Sequence, residues 1–275
     1  MKKTLQYLRE KQRNNVPIVM LTSYDYPTAV LEDECGVDIQ LIGDSVGTNV
    51  LGYTDIAQVS VDDIVHHVAA VARGVTRSYV LADMPQGSCE TPEAALHNAR
   101  RMIEAGADGV KMEGEQVTAQ IQTLVQHDIE VCAHIGYTPQ SHGPRARVQG
   151  KDTRRIKELF ACAHQVAHAG ASMIVLELVV EEVAAEITRR LTIPTIGIGS
   201  GRFCSGQVQV IHDITGMSSR LFSHARAYCN GRETIRTAIG AYVSDTAQRV
   251  FPAEEHVRHL QRPIQWDTVL PPHNE

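Results

Sequence analysis

The chain has 275 residues, a net charge of -6 from 26 basic and 32 acidic side chains, and 43% hydrophobic residues. This is the balance of an ordinary soluble globular protein, and it excludes a disordered chain, a collagen-like fibre and a disulfide-stapled mini-protein. There is no obvious basic face of the kind that duplex nucleic acid needs, and no uninterrupted run of ~18–20 apolar residues to cross a membrane. The first stretch, MKKTLQYLREKQRNN, begins basic, but charges return before an apolar segment develops, so it does not read as a secretory signal. Six cysteines, at 35, 89, 132, 162, 204 and 229, show no zinc-knuckle or CxxC spacing. A reduced, cytoplasmic setting follows, with Cys35 and Cys132, both in apolar runs, read as small core residues.

In chain order, short apolar runs alternate with amphipathic stretches. The runs are Pro17–Ser23, Val37–Gly43, Tyr79–Asp83, Gly109–Glu113, Val131–Gly136, Met173–Glu177 and Pro194–Gly199. Runs this short and this rich in Val, Ile and Leu are the pattern of strands buried on both faces of a parallel sheet. Between them Thr91–Ala105 reads as a helix, with Thr91 as its cap, Pro92 in its first turn and Gly106 as its stop. Asp152–Ala169 and Val180–Leu191 have similar periodicity. Seven strand–helix units over about 240 residues fit an α/β fold of the (βα)8 TIM-barrel kind better than an open sheet. The eighth strand is expected near Arg220–Ser223. The chain reads as one domain, 1–275, with a capping segment ahead of the first strand and a loose tail from about residue 257, marked by Pro271 and Pro272.

In a barrel the C-terminal ends of all strands converge on one face, where active sites form. Polar residues sit at those ends here: Asp44-Ser45, Asp83, Lys111 with Glu113, His134, Glu177 and the Gly-Ile-Gly-Ser-Gly run at 197–201. Three carboxylates, Asp44, Asp83 and Glu113, come from consecutive strands and are costly to gather without a cation. Their all-oxygen donor set favours Mg²⁺ over Zn²⁺. Such an ion chelates a 2-oxo acid and stabilises its enolate. Lys111 then neutralises substrate charge. Glu177, set apart from the carboxylate trio by strand order, reads as a base for a proton beside the carbonyl. Blander readings stand beside these: His134 as a satisfied core histidine, the glycine run as a tight turn, His66-His67 as structural, and the basic run 145–155 as a solvated loop.

At this point the residues resemble a known family, the ketopantoate (3-methyl-2-oxobutanoate) hydroxymethyltransferases. The resemblance runs from about Val19 to His256. It is carried by TSYDY at 22–26, IGDSVG at 42–47, LADMP at 81–85, VKMEG at 110–114, HIGYTPQS at 134–141, VQGK at 148–151, VLE at 175–177, IPTIGIGSG at 193–201, GQVQVIHD at 206–213 and FPAEEH at 251–256. It implies a barrel of the phosphoenolpyruvate/pyruvate type and a homo-oligomer, usually a decamer. It implies Mg²⁺ as cofactor and 5,10-methylenetetrahydrofolate as co-substrate. The implied reaction is transfer of a hydroxymethyl unit to 3-methyl-2-oxobutanoate, giving 2-dehydropantoate for pantothenate synthesis. The resemblance also places Asp44, Asp83 and Glu113 at metal positions and Ser45 and Lys111 at substrate contacts, where Asp44 and Asp83 also lie. His134 falls near the substrate and Glu177 at the base. In the implied mechanism the metal polarises the keto group, Glu177 takes the C3 proton, and the enolate attacks the folate's methylene carbon.

The chain departs from the family pattern around this set. Met84-Pro85-Gln86 stands where Leu-Pro-Phe is usual. The segment 142–147 is about two residues shorter than the family's and lacks its Gly-Gly-Tyr-Lys stretch. Leu178-Val179 follows Glu177. The alternative reading is therefore a paralogous aldol-type hydroxymethyltransferase that acts on a different 2-oxo acid or takes formaldehyde as its one-carbon donor.

Overall fold

All seven apolar runs form strands in the computed structural model, which describes residues 1–142 and 146–270. They are β1 (Ile18–Thr22), β2 (Ile39–Ile42), β3 (Tyr79–Asp83), β4 (Gly109–Glu113), β5 (Glu130–Gly136), β6 (Met173–Glu177) and β7 (Thr195–Ile198). With β8 (Gly206–Gln209) they close a barrel in which each strand pairs with its sequence neighbour and β8 returns to β1. All pairings are parallel.

The eighth strand corrects the sequence expectation. It lies at Gly206–Gln209, not near Arg220–Ser223, which is irregular. No helix separates β7 from β8, so strand–helix spacing pointed too far along the chain. The segment Gly-Gln-Val-Gln is also not an apolar run. Gly206 lies so close to β1 that a Cβ there would stand 2.4 Å from the Ile18 carbonyl oxygen, and only glycine permits that approach.

Outside the barrel run α1 (Leu5–Arg13), α2 (Tyr26–Cys35), α3 (Val61–Gly74), α4 (Pro92–Glu104), α5 (Thr118–Gln126), α6 (Thr153–His168) and α7 (Glu181–Arg190). Local chemistry starts them where the sequence indicates. Thr91 accepts a hydrogen bond from the Ala94 N–H at the head of α4, and Asp152 accepts one from Arg155 at the head of α6. Cys35 departs from its expected core position: it ends α2 and is exposed, whereas Cys132 is buried.

Two apolar layers result. One fills the barrel with Ile18, Met20, Ile39, Leu41, Tyr79, Leu81, Cys132, Met173, Val175, Ile196 and Val208, and Leu8 of α1 packs into it. The other lies between sheet and helices and includes Val80, Ala82, Val110, Val131, Ala133, Ile174 and Leu176. Successive residues alternate between the layers because strand side chains alternate in direction.

The chain divides into two compact units, Met1–Cys229 and Asn230–Glu275. The first holds the barrel. The second contains α8 (Gly231–Ala247), none of whose residues is buried, and a short turn at Glu254–His256. Residues 143–145, within the shortened segment and the basic run, lie outside the described residues, as do 271–275 with Pro271 and Pro272. No helix among the described residues is long and apolar enough to cross a membrane.

Two buried carboxyls on α2 affect stability in opposite directions as pH changes. Asp33 ties the end of α2 to the turn before β3. Its Oδ1 accepts from the Ser78 N–H (2.6 Å), the Ser78 hydroxyl (2.9 Å) and the Arg77 N–H (3.0 Å). Its Oδ2 accepts from the Thr76 hydroxyl at 2.7 Å. Burial alone would raise its pKa, but these donors hold it well below the usual carboxylate range. Asp33→Ala leaves several donors without an acceptor and is expected to cost about 3 kcal/mol, read as a lowered urea midpoint. This contribution is present above the unfolded chain's pKa and is lost as pH falls toward the depressed native value.

Glu32 behaves oppositely. It is buried, and neither carboxyl oxygen has a hydrogen-bond partner. Burial, then the nearby Asp25 carboxylate, lifts it to about 8, with the Ser23 hydroxyl opposing. Between about pH 4.5 and 8 the native state keeps a proton that the unfolded chain has released, so stability falls across that window and levels off above it. Glu32→Gln is expected to remove this slope and gain on the order of 3 kcal/mol at pH 9. Parallel stability–pH curves for the two proteins would contradict it.

Candidate active site

The alternation that fills the barrel with Leu81, Cys132 and Val175 places Asp83, His134 and Glu177 two residues further along the same strands. The polar side chains are therefore the top layer of the barrel interior. Asp83, Lys111, Glu113 and His134 are all buried, and the Glu177 side chain is 20% exposed. Register brings Asp83 beside Lys111, Glu113 beside His134, and Gly136 beside Glu177. Gly136 has φ +103°, and a Cβ there would lie 2.4 Å from the Glu177 carbonyl oxygen. That position cannot carry a side chain without displacing the strand that bears Glu177.

Lys111 Nζ donates to Asp83 Oδ2 at 2.5 Å. The Asp44 N–H, just past the end of β2, reaches the same oxygen at 3.3 Å. Asp83 Oδ1 is buried and has no partner. The Gln140 amide donates to Asp44 Oδ2 at 2.9 Å, and the Gln140 N–H donates to Glu113 Oε1 at 2.8 Å. Ser45 Oγ lies 2.8 Å from the Tyr24 hydroxyl.

His134 lies between two carboxylates: its Nδ1 is 3.3 Å from Glu113 Oε2 and its Nε2 is 3.1 Å from Glu177 Oε2. Neither ring nitrogen makes an aligned hydrogen bond, so these are charge contacts rather than directed bonds. Burial works against the charged imidazole, yet Glu113 and Glu177 lift it to about 9. These two carboxylates favour its imidazolium form at neutral pH. Glu177, expected apart from the carboxylate trio, stands one imidazole away from Glu113.

The charges do not balance. Burial and the Asp83 carboxylate push Asp44 up, and burial pushes Asp83 up. Lys111 is held as an ammonium: burial opposes its charge, but Asp83, Asp44 and Glu113 outweigh that. Four carboxyl groups face one lysine and one histidine, and burial together with their crowding opposes ionisation of Asp44 and Asp83. A further positive charge would relieve the excess.

Among the described residues no three His, Cys, Asp or Glu side chains already stand in metal-binding geometry. The residues present nonetheless fit a hard cation. The donors of Asp44, Asp83 and Glu113 are all oxygen, and both Asp83 Oδ1 and Glu113 Oε2 are buried without a hydrogen-bond partner.

Other sequence candidates have plainer places. His67 is buried and its Nδ1 lies 2.6 Å from the Tyr24 carbonyl oxygen. In the glycine run, Ser200 donates to the Leu176 carbonyl and accepts from the Val179 N–H, which ties β6 to β7. Gln140 joins the site without a sequence signal of its own. The TPQS motif contains it, but no strand-end pattern marks it, because it lies in a one-turn helix, Pro139–His142, after β5.

The closed eight-stranded parallel barrel, with a cluster of carboxylates at the C-terminal ends of its strands, defines the (βα)8 class to which solved structures like it in fold also belong. Over 93% of this chain and 92% of its own, phosphoenolpyruvate phosphomutase from Streptomyces platensis subsp. rosaceus superposes with a TM-score of 0.62 at 13% identity. 2,3-Dimethylmalate lyase, a member of the phosphoenolpyruvate mutase/isocitrate lyase superfamily, superposes at 0.58 and 14%, covering 96% and 93%. At these identities the likeness is one of fold.

The particular family is shown by sequence. Residues 2–254 match the family model described as ketopantoate hydroxymethyltransferase, and the chain belongs to that family. The 3-methyl-2-oxobutanoate hydroxymethyltransferase of Aeropyrum pernix is 43% identical over 261 residues, 93% of this chain and 94% of the relative. That of Thermotoga neapolitana is 44% identical over 253 residues, 90% and 94%.

Proposed function

We propose that this chain transfers a hydroxymethyl unit from 5,10-methylenetetrahydrofolate to 3-methyl-2-oxobutanoate, yielding 2-dehydropantoate. The observation that carries the reading is the partly exposed Glu177 carboxylate, held by His134 beside the buried Asp83–Lys111–Glu113 cluster. Asp44, Asp83 and Glu113 would hold Mg²⁺, whose chemistry there is Lewis-acid polarisation of the keto group.

The chain's own residues supply the rest. Lys111 offers its ammonium to the substrate's carboxylate while keeping Asp83 in place. Glu177 accepts the C3 proton, and the C–H electron pair moves into the enolate. His134, a cation between Glu113 and Glu177, holds the base at the mouth and offsets the carboxylate charge around the substrate. Water opens the folate's methylene bridge, both of its C–N bonds breaking with the two nitrogens keeping the electron pairs and taking water's two protons. The enolate carbon bonds to the carbonyl carbon so formed, and the oxygen of that carbonyl takes the proton back from Glu177 to become the hydroxyl group. Burial of the cluster excludes bulk water, which strengthens each of these charge interactions.

The test is deuterium exchange at C3 of 3-methyl-2-oxobutanoate in D₂O, followed by NMR with protein and Mg²⁺ but no folate. Metal-dependent exchange supports the half-reaction, and 2-dehydropantoate formed on adding the folate completes it. Absence of both rejects the reading.

One contact favours a second reading, a relative with another 2-oxo acid or with formaldehyde as donor. The Gln86 amide donates to the Gln140 carbonyl at 2.8 Å, a polar bridge at the mouth where the family pattern has an aromatic ring. A panel of 2-oxo acids with each donor separates the two. A strong preference for 3-methyl-2-oxobutanoate with folate excludes the second.

A further inference from the structure

We propose that Gln140, steadied from outside by Gln86, is the positioning residue that sets Asp44 and Glu113 for cation binding. The inference rests on the divalent-cation reading of the site given above.

Asp44 needs such a device. It lies beyond the last residue of β2 and outside the strand alternation that aims Asp83, Glu113 and His134 into the barrel. Its side chain is held by the Gln140 Nε2 bond to Oδ2 at 2.9 Å. The second hydrogen of the same amide goes to the Met84 carbonyl at 3.1 Å, one residue past Asp83. The backbone N–H of Gln140 goes to Glu113 Oε1 at 2.8 Å, leaving Glu113 Oε2 without an aligned hydrogen bond. One residue thus joins the ends of β2, β3 and β4, the three strands that bring the carboxylates.

A neutral amide suits this task. It orients a carboxylate oxygen without adding a positive charge that would compete with the cation. Partners of this kind fix ligand direction and tune metal affinity, and their loss typically costs 10–100-fold. Gln86 completes the arrangement from the surface. It is exposed, and its Nε2 donates to the Gln140 carbonyl at 2.8 Å. It therefore acts on the carboxylates only by holding the backbone of Gln140, through a side chain that the family pattern does not provide.

The experiment is calorimetric titration of substrate-free protein with Mg²⁺, for wild type, Gln140→Met and Gln86→Met, with the thermal midpoint of each measured alongside. Gln140→Met is expected to raise Kd about 10–100-fold. Gln86→Met is expected to raise it by about 3-fold or more, with a wild-type thermal midpoint because the side chain is exposed. In Gln86→Met, saturating Mg²⁺ is expected to restore C3 exchange to the wild-type rate, which a general loosening of the fold would not do. Wild-type Kd values in both variants, or exchange in Gln86→Met that stays depressed at saturating Mg²⁺, would overturn the inference while leaving the site reading intact. Failure of the wild type itself to bind Mg²⁺ would overturn the site reading and this inference with it.

Discussion

Glu177→Gln is expected to slow C3 proton exchange of 3-methyl-2-oxobutanoate by about 10³-fold or more while Mg²⁺ still binds. A side chain that accepts a proton in the rate-determining step contributes about 10²–10⁴-fold, and an amide of the same shape cannot accept it. The geometry limits the damage to that step. Glu177 is partly exposed at the end of β6, and its close charged neighbour is His134 Nε2 at 3.1 Å. Asp44, Asp83 and Glu113 keep their own partners, Gln140 and Lys111. The fold is therefore expected to be unchanged, and calorimetry should return a near-wild-type Mg²⁺ affinity. Undiminished exchange into D₂O would remove Glu177 from the role of base.

Asp83→Ala is expected to act on the other side of the reaction, with a loss of about 10³-fold in exchange and loss of the Mg²⁺ response at millimolar concentrations. Asp83 Oδ2 holds the Lys111 ammonium at 2.5 Å and receives the Asp44 N–H at 3.3 Å, while Oδ1 has no partner. Alanine removes the partnerless oxygen, leaves a buried ammonium without its hydrogen-bonded counter-charge, and unties Asp44 from the end of β3. Leaving one member of a buried ion pair uncompensated typically costs 3–5 kcal/mol, so the unfolding midpoint should fall as well. Asp83→Asn separates the two effects: it keeps the shape and an acceptor oxygen for Lys111 but not the charge, so it is expected to recover much of the stability and little of the Mg²⁺ response. Full activity of Asp83→Ala at low Mg²⁺ would contradict the assignment.

Much of the barrel is legible in the chain. Val, Ile and Leu runs of four to seven residues mark seven strands because a strand covered on both faces has no polar side to show. Thr91 and Asp152 mark helix starts because a side-chain oxygen there satisfies an N–H that the helix leaves free. The eighth strand is not legible in this manner, because β8 follows β7 without a helix and carries glutamines. The site divides in the same way. Asp83, Lys111, Glu113, His134 and Glu177 are visible in sequence as polar residues closing apolar strands.

Residue order along the chain fixes the set of groups: which strands exist, which residues end them, and that all end on one face. Tertiary structure alone decided their relations. Barrel closure and register put a single imidazole between Glu113 and Glu177, which linear spacing does not reveal because residues 113, 134 and 177 meet only through strand pairing. The one-turn helix after β5 folds back so that Gln140 reaches Asp44, 96 residues away in the chain. The charge state of His134 follows from those neighbours and not from the residue. Periodicity is a local property set by side-chain direction along one strand. The pairing of charges depends on distances between strands, and those are set only when the sheet closes.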